Sequence, residues 1–516
     1  MTKPKRVVVV GGGLTGLATA LHLIDSESFD VTVLEASERL GGEIQTVMFE
    51  GERLDVGADA FLARQPEGEA LIRQLGFTDD DLVAPDRSQV ALWADGRIYD
   101  LPAATVLGVP TDVRSVQRSG VLSAADRWRV ASEPFRPRST IHDDHAIEHA
   151  SRGTRDAAER GELDDCSVAS LVGARFGRQV VERLVEPLLG GVYAGRADQL
   201  SARYALAPVW QALATERGTI DVHVRSLTRA LRRARSRPGD GTPSDRSSSP
   251  VFLTVRGSLG RVVDALAGRL GSSVRTRAGV VGIRPGDTAR YELDLGDGSH
   301  VAADLVVIAV NAAATARLLP LVAPETSRLL ARQTFASVGV ITLAYDSLIA
   351  DRLAGHSGVL VPRPPSRGER LETVTGQQAA TLIKAVTLSS HKWPHRTRSG
   401  SLIRASVGRI DDNRFMELTD GELIARVERE LQTMLGMPAR SRAALVTRWP
   451  QALPQYVVGH GQWRDQVRMT LDREAPGVIV GGASYDGVGL SARCRDAEQL
   501  AQAIVQSGVS RQQNLE

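Results

Sequence analysis

Cysteine is scarce in this chain, which has only Cys166 and Cys494 among its 516 residues. Two cysteines supply neither a disulfide framework nor the spacing of a zinc site, so we expect a protein of a reducing compartment, the cytoplasm. An excess of one charge is also absent, because 63 Lys and Arg residues balance 61 Asp and Glu residues to a net charge of +2. This balance gives no strong general attraction to nucleic acid, and we expect no nucleic-acid partner.

Long hydrophobic runs are missing as well. No stretch reaches the roughly 18 apolar residues of a transmembrane helix. The early run Val7–Val10 ends at glycines, so the sequence predicts no signal peptide. Peripheral contact with a membrane stays open. The hydrophobic fraction of 42% over 516 residues predicts a folded, globular protein of two or three domains.

The most informative motif is a glycine turn near the start of the chain. The β-branched run Val7–Val10 enters it, and Gly11, Gly13 and Gly16 fit the spacing G-x-G-x-x-G. In such a turn the first glycine allows a tight bend, the second lets backbone approach a pyrophosphate, and the third lets helix and strand pack closely. A second strand, Val31–Leu34, ends in Glu35, about 20 residues further on, where the acid that binds a ribose hydroxyl is expected. The sequence therefore predicts a βαβ dinucleotide site.

The residues after Glu35 decide which dinucleotide is expected. They include Arg39 and the pair Gly41-Gly42, which an NAD enzyme does not need. This stretch resembles the FAD signature of glutathione-reductase-like and amine-oxidase-like flavoproteins. No second G-x-G-x-x-G follows a later strand, so no separate NAD(P)H domain is expected. These features favour an oxidase or desaturase with noncovalent FAD.

The chain pattern predicts an α/β protein: a Rossmann-like FAD domain of the amine-oxidase-like flavoprotein class, built from discontinuous segments, with a mixed α+β substrate domain and a helical subdomain. We expect the FAD domain at 1–85, 250–325 and 465–516, and the substrate domain at 86–110, 205–235 and 326–464. The helical subdomain is expected at 111–204, facing a membrane or a partner, with a polar, mobile loop at 136–165.

Several elements are expected within these domains. Residues 90–99 predict a hairpin with the turn Asp95-Gly96, and residues 330–465 a β-rich region. Single strands are expected over 53–61 and 274–283, a buried parallel strand over 305–310, and a terminal helix over 497–506.

Four further stretches resemble signatures of the protoporphyrinogen and coproporphyrinogen III oxidases. They are Val185–Arg196, Leu107–Asp112, Ala452–His460 and Gly482–Leu490. The resemblance covers nearly the whole chain and is greatest to the Gram-positive bacterial type. It implies oxygen-dependent conversion of coproporphyrinogen III to coproporphyrin III in haem synthesis, with hydrogen peroxide as the second product. It leaves open contact with a ferrochelatase-type pathway partner. One departure is Ser491, which stands where the family has proline and is expected to cap the following helix.

The glycine motif and the resemblance together imply the site residues. Substrate contacts are expected from Arg97, Tyr193 and Arg203, whereas no catalytic residue is assigned. The residues expected at FAD are Gly11, Gly12, Gly13, Leu14, Thr15, Gly16, Glu35, Ala36, Arg39, Gly41, Gly42, Gly57, Ala58, Asp59, Ala60, Val280, Trp449, Val488, Gly489 and Leu490.

Other interpretations stay open at this point. The chain could be a protoporphyrinogen IX oxidase, another oxidase of the same fold acting on an amine or a carotenoid-like chain, or a flavin-binding partner protein without turnover. His142, His145 and His149 have a spacing that a metal could use, but their polar surroundings favour surface histidines and no metal.

Overall fold

The structure is a computed structural model that describes residues 3–141, 162–235, 250–346, 353, 355–363, 381–396 and 400–509. Two compact units divide the chain. Unit 1 comprises residues 1–84, 249–334 and 463–516, and unit 2 comprises residues 85–248 and 335–462. Each unit is therefore discontinuous in sequence. The residues expected as a separate helical subdomain, 111–204, lie in unit 2 together with those expected as the substrate domain.

The regular elements follow one another along the whole described chain. The strands are β1 Lys5–Val10, β2 Phe29–Leu34, β3 Thr46–Phe49, β4 Glu52–Asp55, β5 Phe61–Leu62, β6 Leu82–Val83, β7 Gln89–Ala94, β8 Arg97–Asp100, β9 Thr105–Val106, β10 Val109–Pro110, β11 Ser139–Thr140, β12 Glu162–Leu163, β13 Ile220–Asp221, β14 His223–Val224, β15 Phe252–Val255, β16 Val274–Arg275, β17 Val280–Pro285, β18 Tyr291–Leu295, β19 His300–Ala303, β20 Leu305–Ile308, β21 Phe335–Tyr345, β22 His356–Leu360, β23 Ile383–Leu388, β24 Ser401–Val407, β25 Ala443–Pro454 and β26 Val478–Val480. The α-helices are α1 Leu14–Ile24, α2 Pro66–Gln74, α3 Val113–Ser119, α4 Ala124–Ser132, α5 Val168–Phe176, α6 Arg178–Val180, α7 Glu186–Val192, α8 Ala202–Ala205, α9 Ala207–Leu213, α10 Leu227–Arg235, α11 Gly260–Leu270, α12 Ala312–Leu318, α13 Pro324–Leu330, α14 Ser389–Lys392, α15 Asp420–Leu435, α16 His460–Glu474 and α17 Leu490–Val509. Short 3-10 turns occupy Asp79–Asp81, Glu133–Phe135, Gly271–Ser273, Pro394–Arg396 and Arg414–Met416, and a π-helical turn occupies Val181–Val185.

Unit 1 is built on a five-stranded parallel sheet of order β16-β2-β1-β20-β26. Its central strand β1 is buried from Val7 to Val10, as expected for a parallel strand covered on both faces. The core of this unit joins the apolar side of α1 to residues of α11 and α17. The predicted buried strand at 305–310 is present as β20. The sheet and its helices confirm the predicted α/β class, with a parallel sheet covered by helices in unit 1.

Three sequence predictions in unit 1 were wrong in extent. The stretch 274–283 is two strands of different sheets, because Arg277 adopts a φ of 53° and breaks the extended chain. The stretch 53–61 is β4 followed by an irregular segment and β5. The last helix begins at Leu490 rather than at 497. Ser491 is therefore inside α17, where its hydroxyl donates to Leu62 O (3.4 Å) instead of capping the helix.

Unit 2 is built on a seven-stranded mixed sheet of order β25-β21-β24-β23-β22-β7-β8. This confirms the predicted β-rich region, although the 16-residue helix α15 interrupts it. The apolar face of α15 covers the sheet through Leu423, Val427 and Leu431, all fully buried. The predicted hairpin is β7–β8, and its turn residues Asp95 and Gly96 both have positive φ (52° and 71°), as a tight type I′ turn requires.

The helical part of unit 2 is interrupted at several places. Gly177, with a φ of 84°, ends α5, and the chain then passes through α6 and the π-helical turn into α7. Two described parts of the segment expected as mobile, 136–165, are fixed in place: Ser139–Thr140 pairs with β14, and Asp165 is buried, whereas residues 142–161 lie outside the described residues. The polar composition misled the prediction there, because these residues are fixed by backbone pairing and buried hydrogen bonds. His142, His145 and His149 lie outside the described residues.

Candidate functional site

The glycine turn of unit 1 lies between β1 and α1. A Cβ atom at Gly16 would lie 2.0 Å from Gly11 O, so only glycine allows α1 to pass this close to the backbone of Gly11. Gly11 has a φ of 109°, which L side chains rarely adopt. At Gly13, in contrast, the nearest atom to an added Cβ is Gly42 Cα at 4.0 Å. The backbone of Gly13 is therefore open to an approaching group.

Thr15 adds a second sign of a ligand at this turn. Its hydroxyl is buried in the first turn of α1 and has no hydrogen-bond partner among the described residues. Buried polar groups are almost always hydrogen-bonded, so an orphan at a helix start fits the place of a phosphate oxygen. Leu14, beside it, is 1% exposed and packs into the core.

Glu35 and Arg39 organise the neighbouring turn. Glu35 accepts hydrogen bonds from Gly12 N (2.7 Å) and from the backbone and hydroxyl of Ser37 (2.8 and 2.7 Å). A carboxylate has about four acceptor positions, so capacity for a ribose hydroxyl remains. Arg39 donates to Gly42 O (2.8 Å) and so holds the Gly41-Gly42 turn. The bridge between Gly13 and Gly41 brings the two glycine turns side by side.

Other predicted FAD residues reach the same region through backbone contacts. Ala278 N donates to Glu35 O (2.8 Å), and an added Cβ at Gly279 would lie 3.2 Å from Ala36 Cβ. Val280 is therefore the first residue of a strand that starts beside β2. Ala58 N donates to Glu43 O (3.1 Å), which joins the segment Gly57, Ala58, Asp59 and Ala60 to the residue after Gly42.

The start of α17 is tied to this region by an ion pair. Arg493 Nη1 donates to Glu43 Oε2 (2.7 Å), so α17, which follows Val488 and Gly489 and begins at Leu490, is fixed to the residue after the Gly41-Gly42 turn. Sequence reasoning missed both members of this pair, although Glu43 directly follows the glycine pair. Asp496, one turn further along α17, accepts from Gly482 N (2.5 Å), and burial raises the pKa of this carboxyl to about 6.

The predicted substrate residues and Trp449 lie in unit 2. Tyr193 ends α7, is 9% exposed, and burial raises its pKa to about 12. Arg203 is exposed on α8 and donates to Asp164 O (3.0 Å). Arg97 is exposed at the start of β8. Trp449 lies on β25 opposite Val338.

Three of the four signature stretches meet in unit 2. Gln455 donates to Tyr193 O (2.8 Å), and the rings of Tyr193 and Tyr456 are 5.9 Å apart. The Tyr456 ring stacks on His460 with centroids 4.0 Å apart. An added Cβ at Gly108 would lie 2.2 Å from Leu184 O, so the stretch 107–112 packs directly against the residues before α7.

Asp165 ties these stretches together from inside. Its carboxylate accepts hydrogen bonds from Ser201 Oγ (2.7 Å), Cys166 N (2.9 Å) and Gly459 N (2.9 Å). Burial nevertheless raises the pKa of this carboxyl to about 6. The sequence had assigned this residue to a mobile loop, whereas it is an internal support of the aromatic cluster.

A group of largely buried cationic side chains lies against the signature stretch 185–196. Arg363 donates to Glu186 Oε1 (3.0 Å) and to Gly195 O (3.2 Å). Arg409 donates to Val361 O (2.9 Å), and an added Cβ at Gly190 would lie 3.1 Å from its Nη1. The glycine in this stretch thus leaves room for a guanidinium group.

Lys384 completes this cationic cluster of Arg363, Lys384 and Arg409. It is 2% exposed on β23, and burial, together with Arg409, lowers its pKa to about 7. Burial and Arg363 likewise lower the pKa of Arg409 to about 10. Among the described residues, no carboxylate lies within ion-pair distance of Lys384. The sequence signal for this cluster is a single lysine within the mainly apolar run 382–388.

Comparisons with known proteins agree with this geometry. The sequence model of the flavin containing amine oxidoreductases matches residues 14–497. The coproporphyrinogen III oxidase of Mycobacterium tuberculosis H37Rv is 33% identical over 507 residues, which are 98% of each chain. That of Bacillus subtilis 168 is 29% identical over 492 residues, 94% of this chain and 95% of the relative. A crystal structure named putative protoporphyrinogen oxidase from Exiguobacterium sp. 255-15 has a TM-score of 0.78 and 27% identity, covering 97% of this chain and 98% of the other.

The chain belongs to the flavin containing amine oxidoreductases. Membership in this family confirms the predicted FAD cofactor and the predicted class of FAD-dependent oxidase. The open backbone at Gly13 and the orphaned Thr15 hydroxyl fit a flavin amine oxidoreductase that holds a pyrophosphate there. The individual FAD and substrate contacts stay predictions. Within the described ranges, no helix is long and apolar enough to cross a bilayer, and no group of His, Cys, Asp and Glu could hold a metal ion.

Proposed function

We propose that this flavin amine oxidoreductase oxidises coproporphyrinogen III to coproporphyrin III in haem synthesis, with molecular oxygen as electron acceptor and hydrogen peroxide as product. The observation that carries the proposal is the cationic cluster beside the signature stretch 185–196. A carboxylated macrocycle needs cations for its propionates, and guanidinium groups bind carboxylates with two parallel hydrogen bonds. The names of the Mycobacterium and Bacillus relatives support the same substrate.

One cation of this cluster has no carboxylate partner among the described residues and could pair with such a substrate. Arg363 is engaged by Glu186, whereas Lys384 faces Arg409 without a carboxylate among the described residues. A substrate propionate would stabilise the charged form of Lys384 and relieve its repulsion by Arg409. The buried aromatic cluster of Tyr193, Tyr456 and His460 in the neighbouring stretches makes this part of unit 2 apolar, which suits a pyrrole macrocycle.

The residues of unit 1 would hold the cofactor. FAD bound there would supply a two-electron acceptor: each cycle would remove a hydride from a meso carbon and a proton from the substrate, and oxygen would reoxidise the flavin with release of hydrogen peroxide. Three such cycles would remove six hydrogens from coproporphyrinogen III and give coproporphyrin III and three molecules of hydrogen peroxide. The Gly11–Gly16 turn and the Thr15 hydroxyl would bind the pyrophosphate, and Glu35 the ribose. The positive dipole end at the start of α17 would favour negative charge on a cofactor bound near it.

The direct test is an aerobic assay of the FAD-loaded protein with coproporphyrinogen III and protoporphyrinogen IX, both prepared under anaerobic conditions. We expect porphyrin fluorescence and peroxide to rise together, with the larger kcat/KM for coproporphyrinogen III. A matched reaction with flavin-free protein gives the background of spontaneous oxidation. If turnover does not exceed this background, the protein binds flavin but does not have the proposed activity.

Protoporphyrinogen IX oxidation is the second candidate, favoured by the name of the Exiguobacterium structure. That substrate has only two propionates and carries vinyl groups in place of the others. A site that pairs charged groups loses more binding free energy when a substrate carboxylate is missing than an apolar pocket loses when one apolar contact is missing. A higher kcat/KM for protoporphyrinogen IX in the same assay would therefore favour this second function.

A further inference from the structure

A groove of about 690 Å³ in unit 2 is lined mainly by two stretches of chain, 134–138 and 220–233. It shares no lining residue with the cationic cluster or with the aromatic residues of the signature stretches. We call it the arginine groove, because five of its lining residues are arginines: Arg136, Arg138, Arg225, Arg229 and Arg233. Among the described lining residues, Asp221 is the sole carboxylate.

This positive charge is poorly neutralised by the groove itself. Arg138 lies 3.8 Å from Asp221, and both side chains are about half exposed, so this ion pair contributes little. Arg225 and Arg233 have no carboxylate within ion-pair distance among the described residues. Arg136 donates to Arg175 O (3.0 Å), and burial, together with the neighbouring Arg129 and Arg175, lowers its pKa.

A buried polar frame fixes the two walls of the groove. Glu133, fully buried, accepts from Arg175 Nε (3.1 Å), Ser226 Oγ (2.7 Å) and Leu227 N (2.9 Å). Arg175, also fully buried, donates to Pro137 O (2.5 Å). These bonds connect the wall that carries Arg136 and Arg138 to the start of α10, which carries Arg229 and Arg233. The guanidinium groups are therefore presented from a rigid base rather than from a loose loop.

The rest of the groove is apolar. Its remaining surface includes the side chains of Pro134, Pro137, Leu213, Ile220 and Val224. A volume of about 690 Å³ lies in the range of small-molecule sites. Free phosphate would leave most of this space empty. A ligand that satisfies both features has several anionic oxygens spread around an apolar body.

We propose that the arginine groove is a second binding site for a polycarboxylate with an apolar body, the class to which the porphyrin product belongs. The choice of a porphyrin as its ligand rests on the proposed function, because coproporphyrin III carries four carboxylates on a flat apolar ring. The site holds product or regulates its release and takes no part in the oxidation. Guanidinium groups from both walls bind separate carboxylates, while the apolar surface covers part of the ring.

The test is calorimetric titration of the FAD-loaded protein with coproporphyrin III. Wild type is expected to bind porphyrin at two sites per chain. Arg225→Gln combined with Arg233→Gln is expected to weaken one of the two by about tenfold or more and to leave kcat/KM for coproporphyrinogen III unchanged. Arg332→Gln combined with Arg429→Gln, two exposed arginines outside the groove, is the control with the same change of charge and is expected to keep both sites.

A single porphyrin site in wild type, or two sites that the groove variant does not alter, would overturn the proposal. So would binding to phosphatidylglycerol vesicles that the groove variant abolishes while porphyrin stoichiometry stays at one, because the groove would then contact a lipid surface. Failure of the proposed function is a separate result: it appears as missing turnover of coproporphyrinogen III, whatever the number of porphyrin sites.

Discussion

At the scale of single residues, the glycines of the first turn have different structural roles. Gly16 is required by the fold, since any Cβ there would collide with Gly11 O. Gly13 is not, because the space beside it is open. The sequence motif predicts both glycines but not this division, which depends on where the neighbouring Gly41-Gly42 turn comes to lie.

Replacing Gly13 by alanine should therefore separate cofactor binding from folding. We expect Gly13→Ala to fold with a near-normal melting temperature but to bind FAD at least about tenfold more weakly, because the added methyl group occupies the pyrophosphate approach. Flavin absorbance after gel filtration and thermal unfolding measure the two effects. Gly268→Ala, on the exposed side of α11 with open space around it, is the matched control and should keep its FAD. Full FAD content in Gly13→Ala would mean that the phosphate lies elsewhere.

Lys384 gives a prediction about pH. Its pKa is about 7 in the folded protein and 10.5 when exposed, so between these values the unfolded chain binds more protons. The free energy of unfolding should then rise with pH over this window, by at most about 1.4 kcal/mol per pH unit. At pH values below 7, Lys384 is charged in both states, and burying the charge destabilises the folded protein to its full extent.

Urea unfolding at several pH values between 7 and 9.5 checks this sign. Lys384→Met should remove this part of the slope, whereas Lys392→Met, a change of the same charge in the same unit, should retain it. An identical slope in wild type and Lys384→Met would show that Lys384 does not titrate in this range.

At the scale of elements, the sequence predicts what local chemistry determines. The β1–α1–β2 unit follows from β-branched runs around a glycine turn, and the β7–β8 hairpin from Asp95-Gly96. The extent of α17 was missed because its first turn is stabilised by Arg493 pairing with Glu43, more than 400 residues away in the chain. The cationic cluster was missed because Arg363, Lys384 and Arg409, which lie on or just after three successive strands, are brought together only by the pairing of β22, β23 and β24.

The joint between the 3-10 turn Glu133–Phe135 and α5 should depend on one buried ion pair, that of Glu133 with Arg175. Glu133→Gln leaves the Arg175 guanidinium buried without a countercharge, and we expect a loss of about 3–5 kcal/mol in the free energy of unfolding. Glu38→Gln, which removes an exposed ion pair with Arg277, should cost less than about 1 kcal/mol. Urea denaturation measures both. Equal effects of the two substitutions would contradict the role assigned to the Glu133 frame.

At the scale of the whole molecule, three separated segments form unit 1 and two form unit 2, and each unit has a core of its own. The proposed division of labour assigns cofactor binding to unit 1 and carboxylate recognition to unit 2. The sequence predicts this discontinuous plan because the buried strand expected over 305–310 and the last core strand near 478 resume the βα pattern that begins at the glycine motif. It does not predict which cations unit 2 would present.

Substrate preference should depend on ionic strength. We expect the ratio of kcat/KM for coproporphyrinogen III over protoporphyrinogen IX to fall as salt rises, because the attraction between four carboxylates and the cations of unit 2 is screened. The ratio should stay above one, since Lys384 and Arg409 are buried and little screened. Initial rates at low and high sodium chloride measure it. A ratio that does not change with salt would contradict charge-based selection.

The measurement that tests the central claim most directly is anaerobic mixing of the FAD-loaded protein with coproporphyrinogen III. If this chain is a porphyrinogen oxidase, the yellow absorbance of the oxidised flavin should bleach on anaerobic mixing. Coproporphyrin fluorescence should increase once oxygen is admitted, because the six-electron conversion needs repeated reoxidation of the flavin, and the yellow absorbance should return when the substrate is consumed. Gly13→Ala, depleted of FAD, should show neither change. A flavin that stays oxidised in the presence of excess coproporphyrinogen III would contradict the account.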